Sequence, residues 1–163
     1  MMYNDTFRVV AVRSVLVAAA VCCLALQPSP LLAQGEQPAY EQGTSPFTKE
    51  LEYRVNSELR PRLDVDGLRL ELLRLEPKTT DYEAGKPIAT TLILAFTNIR
   101  DGSARAVVVL LLEDEQGNAL DRVECKPIRV GANDSVEERQ KFRFQSDALS
   151  ATRKLYLFLE VAR

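Results

Sequence analysis

Two clusters of carboxylates are the residues of this sequence best suited to chemistry. Asp64 and Asp66 precede Gly67 as at the start of an EF-hand calcium loop, and residues 113–115 place three acids beside Gly117. An EF-hand loop closes with a Glu, which falls on a leucine here. Neighbouring strand residues point to opposite faces, so at most two acids of the second cluster converge. We therefore expect a solvated turn and a solvated hairpin tip rather than metal sites, with a calcium-stabilised module as a minor alternative.

Histidine is absent from the 163 residues, which excludes Ser–His and Cys–His catalysis and His-ligated metals. Asp64 and Asp66 would lie roughly 6.6 Å apart on an extended strand, a glycosidase-like separation, but nothing indicates that either is desolvated. No lysine stands at catalytic spacing from a serine within an apolar helix. The 21 basic and 23 acidic residues give no case for nucleic acid. We predict a protein that is not an enzyme and needs no cofactor.

Residues 1–33 have the order of a secretory signal peptide. Arg8 and Arg13 precede the apolar run 14–26, and Ala33 stands at the expected cleavage edge before Gln34. The run is shorter than the roughly 20 residues that span a bilayer. We expect export to the periplasm or beyond, with membrane contact only through this segment if it is not cleaved. Cleavage would leave Cys125 without a disulfide partner, and its position on a strand face predicts a buried, inert thiol.

The sequence divides further into a linker, a predicted helix and a β domain. Residues 34–45 are polar and predict a disordered linker. In residues 46–62 apolar side chains recur every four positions, which favours a helix that Ser45 caps and Pro61 ends. In residues 51–55, however, apolar and charged residues alternate, so a strand remains the alternative for this segment.

From residue 63 to the end the hydrophobic period is two. Polar turns containing Gly, Asn or Asp separate the apolar runs, which predicts an antiparallel β-sandwich of six or seven strands over 63–163. Pro127 makes its strand an edge strand or a bulge. The run 106–112 is apolar on both parities and is expected to be central or to have a covered outer face. The predicted strands are 68–72, 88–98, 104–114, 120–130, 137–145 and 155–161.

About half of this chain resembles the small immunoglobulin-like domains of bacterial exported and envelope proteins. The resemblance rests on Asn98 ending a strand, on the Val/Leu run 104–112 entering the Asp114-x-x-Gly117 hairpin, and on a turn at Gly131. It implies an immunoglobulin-like β-sandwich and carries no catalytic residues. The core Trp and paired cysteines of antibody-type domains are missing from the sequence.

Two surfaces are candidates for partner binding. Tyr156 and Phe158 share the outer parity of the last strand, where the 46–62 helix would cover them, and Pro127 marks a sheet edge. We expect a non-catalytic module that works by protein–protein interaction in the cell envelope. The alternative is a carbohydrate- or cell-wall-binding module, for which Tyr40 and Tyr82 are the loop aromatics available.

Overall fold

The structure is a computed structural model that describes residues 39–162. The expected signal peptide, its cleavage point at Ala33 and Gln34, and the first part of the linker lie outside the described residues. No helix within 39–162 is long and apolar enough to cross a membrane. The strands are β1 (Glu41–Gly43), β2 (Phe47–Glu52), β3 (Glu58–Leu59), β4 (Leu63–Val65), β5 (Leu68–Pro77), β6 (Pro87–Asn98), β7 (Ala104–Glu113), β8 (Ala119–Glu124), β9 (Ile128–Val130), β10 (Ser135–Gln145) and β11 (Lys154–Ala162), and one helix, α1 (Ser146–Ala151), precedes β11.

These strands form two sheets, which confirms the all-β class. The first sheet has the order β1-β4-β5-β6-β10, with β3 also on β5, and the second has the order β2-β11-β7-β8, with β9 also on β7. All the described pairs are antiparallel except β1 with β4. Downstream of β5 the chain passes between the sheets after β6, after β9 and after β10. Consequently β7 and β11, which are far apart in sequence, become neighbours in the centre of the second sheet.

The alternating side chains of both sheets meet in one core. On β7 and β11 every second side chain points into the core, as at the fully buried Leu110 and Leu157, and packs in the same cluster as Phe96 of β6. On β5 the register with β6 shifts between Leu70 and Leu72, so the parity of burial changes there. The predicted alternation through Leu72 is therefore interrupted, because the extra residue of a bulge moves the side chains beyond it to the other face.

The prediction of a helix over residues 46–62 is wrong, because the segment contains β2 and β3. An apolar spacing of four residues is even, so it places side chains on one face of a strand as well as on one face of a helix. In β2, Phe47 and Leu51 lie opposite Leu159 and Leu155 of β11 and pack against the core. Pairing with β11 satisfies the backbone groups on one side of β2 and buries its apolar side chains, and this tertiary gain overrides the helical pattern.

The predicted linker 34–45 is also wrong over its last residues, because β1 pairs with β4 there. Just before β1, the Tyr40 hydroxyl donates a hydrogen bond of 2.7 Å to Glu71 Oε1, and the Arg69 guanidinium lies 4.5 Å from the centre of the Tyr40 ring. This bond raises the pKa of Tyr40. The folded part of the described chain thus begins upstream of residue 63.

Candidate interaction surface

The acidic motif before Gly67 is a structural turn. Asp66 and Gly67 join β4 to β5 with φ of 49° and 79°, the left-handed conformations that a tight two-residue hairpin requires. The Asp64 carboxylate is buried and accepts hydrogen bonds from Gly67 N–H at 2.9 Å and from Arg69 Nε at 3.1 Å. Its oxygens therefore serve the hairpin. Among residues 39–162 no cluster of three or more acidic or cysteine side chains could hold a metal ion.

The second acidic cluster organises the hairpin between β7 and β8. The Asp114 carboxylate accepts hydrogen bonds from the Gln116 N–H at 2.9 Å and from the backbone and side-chain N–H groups of Asn118, both at 2.8 Å. These bonds favour the charged form and lower the pKa of Asp114, the side-chain amide of Asn118 contributing most. The carboxylate of Asp114 is thus used within its own turn.

The outer surface of the second sheet is apolar at its centre. Tyr156 of β11 lies opposite Leu111 of β7, and Phe158 lies opposite Val109. Tyr156 is 38% exposed, and the other three are partly exposed. Together with Arg122 of β8, these side chains line a shallow depression of about 310 Å³. We call Val107, Val109, Leu111, Tyr156 and Phe158 the apolar face.

The apolar face differs from the outer surface of the first sheet. There the exposed parity of β10 includes Glu137, Arg139, Lys141 and Arg143, as is usual for a solvated sheet surface. In the described part of the second sheet, charges stand around the centre. Glu50 of β2 forms an ion pair with Lys154 Nζ at 3.0 Å, which raises the pKa of Lys154, and Arg122 lies 3.7 Å from Glu124 on β8. The second sheet thus has an apolar centre with a charged rim.

The structure brings two of the three predicted partner-binding residues together. Tyr156 and Phe158 belong to the apolar face, whereas exposed Pro127 lies in the break between β8 and β9, on the sheet edge beside β7. At this break Gln140 of β10 bonds the Lys126 N–H at 2.7 Å and its carbonyl at 2.9 Å. Pro127 therefore lies at a sheet edge that is separate from the apolar face.

Val107, Val109 and Leu111 belong to this face although the sequence pattern did not mark them as site residues. The sequence feature that could have identified them is the run 106–112, in which successive residues are apolar whichever face of the strand they point to. That feature indicated a central strand, and β7 is central. One parity fills the core, and the other forms half of the apolar face. Of the two alternative aromatics, Tyr40 is engaged with Glu71, and Tyr82 packs against the core with its hydroxyl buried.

Cys125 is buried, as its strand position predicted. Burial, with a smaller contribution from Glu138, raises the pKa of its thiol to about 12. Folding therefore favours the neutral thiol, and this contribution to stability is lost as the pH rises from the ordinary thiol range through the folded pKa.

We expect iodoacetamide at pH 8 to leave Cys125 unmodified in the folded protein and to alkylate it fully in urea, as measured by mass spectrometry of the peptide containing it. Complete alkylation without urea would contradict this burial.

The fold and this surface define a class: an all-β protein of two sheets in which, within residues 39–162, the outer face of the second sheet is apolar and partly exposed. No known protein family matches the chain, and no curated protein matches it. Among solved structures it is similar to the X-ray structure of Northeast Structural Genomics Consortium target SoR45, at 10% sequence identity and a TM-score of 0.36. The similarity covers 49% of this chain and 64% of that chain, so this chain spans less than two-thirds of the length of that protein.

Proposed function

We propose that this protein is an exported immunoglobulin-like module that binds a protein partner through the apolar face and catalyses no reaction. The observation that carries the proposal is the apolar centre of the second sheet. Tyr and Phe are well suited to anchor protein interfaces, because each buries a large area at a small cost in side-chain entropy. The charged rim around them matches the usual division of an interface into an apolar core and a polar border.

The strand connectivity supports the immunoglobulin-like part of the proposal. Immunoglobulin-like domains place strands A, B and E side by side in one sheet and strands C, F and G in the other. Here β5, β6 and β10 are neighbours in the first sheet, and β7 and β11 are neighbours in the second. In chain order β5, β6, β7, β10 and β11 correspond to A, B, C, E and F. The place of G beside F is taken by β2, which comes from the N-terminal side of the domain.

Export is proposed from the sequence alone, on the order of charges, apolar run and small residues in positions 1–33. The intact mass of the protein purified from expressing cells tests it directly. A chain that begins at Gln34 and is recovered from the periplasm or the medium supports the proposal. A full-length chain in the cytoplasm would contradict it.

The binding proposal is tested by crosslinking in native cells, with the variant Tyr156→Ala/Phe158→Ala compared with the unchanged protein. We expect a specific protein crosslinked at the apolar face, and a loss of at least about tenfold in its recovery with the variant. The matched control is Arg139→Ala/Lys141→Ala on the outer surface of the first sheet, which is expected to retain the partner. Retention on cell-wall polysaccharide without a protein partner would overturn the proposal in favour of glycan binding.

A further inference from the structure

We propose that the partner at the apolar face is a second copy of this chain, bound face to face about a two-fold axis that runs along the strands between β7 and β11. This inference rests on the proposed function, because it names the occupant of the same surface. It is based on the order of charges across the second sheet. When a second copy is rotated by 180° about this axis, the charges of the two copies meet with opposite signs.

The strand register sets four outward side chains in one row across the sheet. Tyr156 pairs with Glu50 on one side and with Leu111 on the other, and Leu111 pairs with Arg122. The row therefore runs acid, aromatic, aliphatic, base from β2 to β8. Its two ends carry opposite charges, and its centre is apolar.

A two-fold axis along the strands exchanges β2 with β8 and β11 with β7 while each residue keeps its level along the strand. In the resulting pair, Arg122 of each copy lies over Glu50 of the other, and Tyr156 lies over Leu111. The rows on either side of this one also place compatible side chains opposite each other. Lys154, which pairs with Glu113 within the sheet, would face Glu113 of the second copy, and Phe158 would face Val109.

The charges also select this axis over the other face-to-face arrangement. An axis perpendicular to the strands would place β2 over β2 and β8 over β8. It would then bring the acidic residues Glu50 and Glu52 of the two copies together and would set Arg122 near Arg122. Like charges brought together at an interface disfavour that arrangement.

The size of the surface predicts a weak dimer. The three gaps of about 4.8 Å between four strands, and the ten residues of β7 at about 3.4 Å each, give a face of roughly 500 Å² per copy. The total of roughly 1,000 Å² is at the lower end of specific interfaces. We therefore expect a monomer–dimer equilibrium that depends on protein concentration, with aligned packing of the two sheets.

The test uses sedimentation velocity and native mass spectrometry on the protein expressed from the full chain. We expect the unchanged protein to dimerise as its concentration rises. Glu50→Arg and Arg122→Glu are each expected to weaken dimerisation by at least about tenfold, because each places like charges together at two symmetric contacts. The control Arg139→Glu, on the first sheet, is expected to dimerise like the unchanged protein.

Mixing the two single variants is the decisive measurement. In the proposed dimer there are two contacts, each between residue 50 of one copy and residue 122 of the other. The Glu50→Arg copy carries Arg at both positions and the Arg122→Glu copy carries Glu at both, so both contacts of the mixed pair join Arg to Glu. A heterodimer is therefore expected although neither variant dimerises alone.

The double variant Glu50→Arg/Arg122→Glu is expected to dimerise again, because it reverses both charges of each contact. A variant that merely fails to fold would not recover on mixing. The absence of recovery, both on mixing and in the double variant, would overturn the proposed geometry.

Failure of the dimer and failure of the interaction function give different results. A protein that stays monomeric at all concentrations, yet crosslinks to another protein in a manner that depends on Tyr156 and Phe158, overturns the dimer and leaves the proposed function standing. A monomer that crosslinks to no protein through the apolar face overturns both.

Discussion

Replacing Leu157 by Ala is expected to lower the free energy of unfolding by about 2–5 kcal/mol. Leu157 is fully buried in the middle of β11, between β2 and β7, and lies opposite the equally buried Leu110. The substitution removes apolar atoms from the shared core of both sheets. Because strands on both sides hold the backbone of β11, the surroundings can close only part of the cavity. The unfolding free energy is measured by urea titration followed by circular dichroism.

The control is Phe158→Ala, one residue further along the same strand. Its side chain lies on the opposite face and is only partly buried, so a much smaller loss of about 1 kcal/mol is expected when unfolding is measured on dilute protein. The larger side chain thus gives the smaller loss. Equal losses for the two variants would contradict the assignment of Leu157 to the core and Phe158 to the outer surface.

Replacing Asn98 by Ala is expected to cost about 2–4 kcal/mol, because buried backbone groups lose their hydrogen-bond partners. Asn98 ends β6 and is 1% exposed. Its amide nitrogen donates to the carbonyls of Gly102 at 2.8 Å and Gly131 at 2.7 Å, and its oxygen accepts the Arg100 N–H at 3.1 Å. One side chain thereby joins the loop after β6 to the loop after β9.

The measurement combines thermal unfolding with amide hydrogen exchange. Beyond the loss of stability, faster exchange is expected in residues 99–103 and 131–134, since these loops lose their shared anchor. Thr97→Ala is the control, because its hydroxyl bonds the exposed Ser135, at 3.0 Å, and its loss should cost less than about 1 kcal/mol. Unchanged exchange in both loops of the Asn98 variant would contradict the anchoring role.

The sequence determined the class of fold, because alternation of apolar and polar residues indicates a strand from a short segment alone, without knowledge of distant contacts. The strands predicted after residue 63 correspond to strands in the structure, with 120–130 divided into β8 and β9, and Cys125 is buried as the local pattern indicated. Asn98 was recognised as the end of a strand. The hydrogen-bond partners of its side chain were not recognised, since the contact with Gly131 depends on a loop that is distant in sequence.

The tertiary structure decided where the N-terminal segment goes and what the apolar face presents. A spacing of four fits both a helix and a strand, so only the open edge of β11 made residues 47–52 a strand, and this left Tyr156 and Phe158 uncovered by that segment. In the same way, Glu50 and Arg122 are far apart in sequence and share a row only through two intervening strands. Local patterns fix which side chains turn outward. Strand register, which is set by packing across the whole sheet, fixes which of them meet.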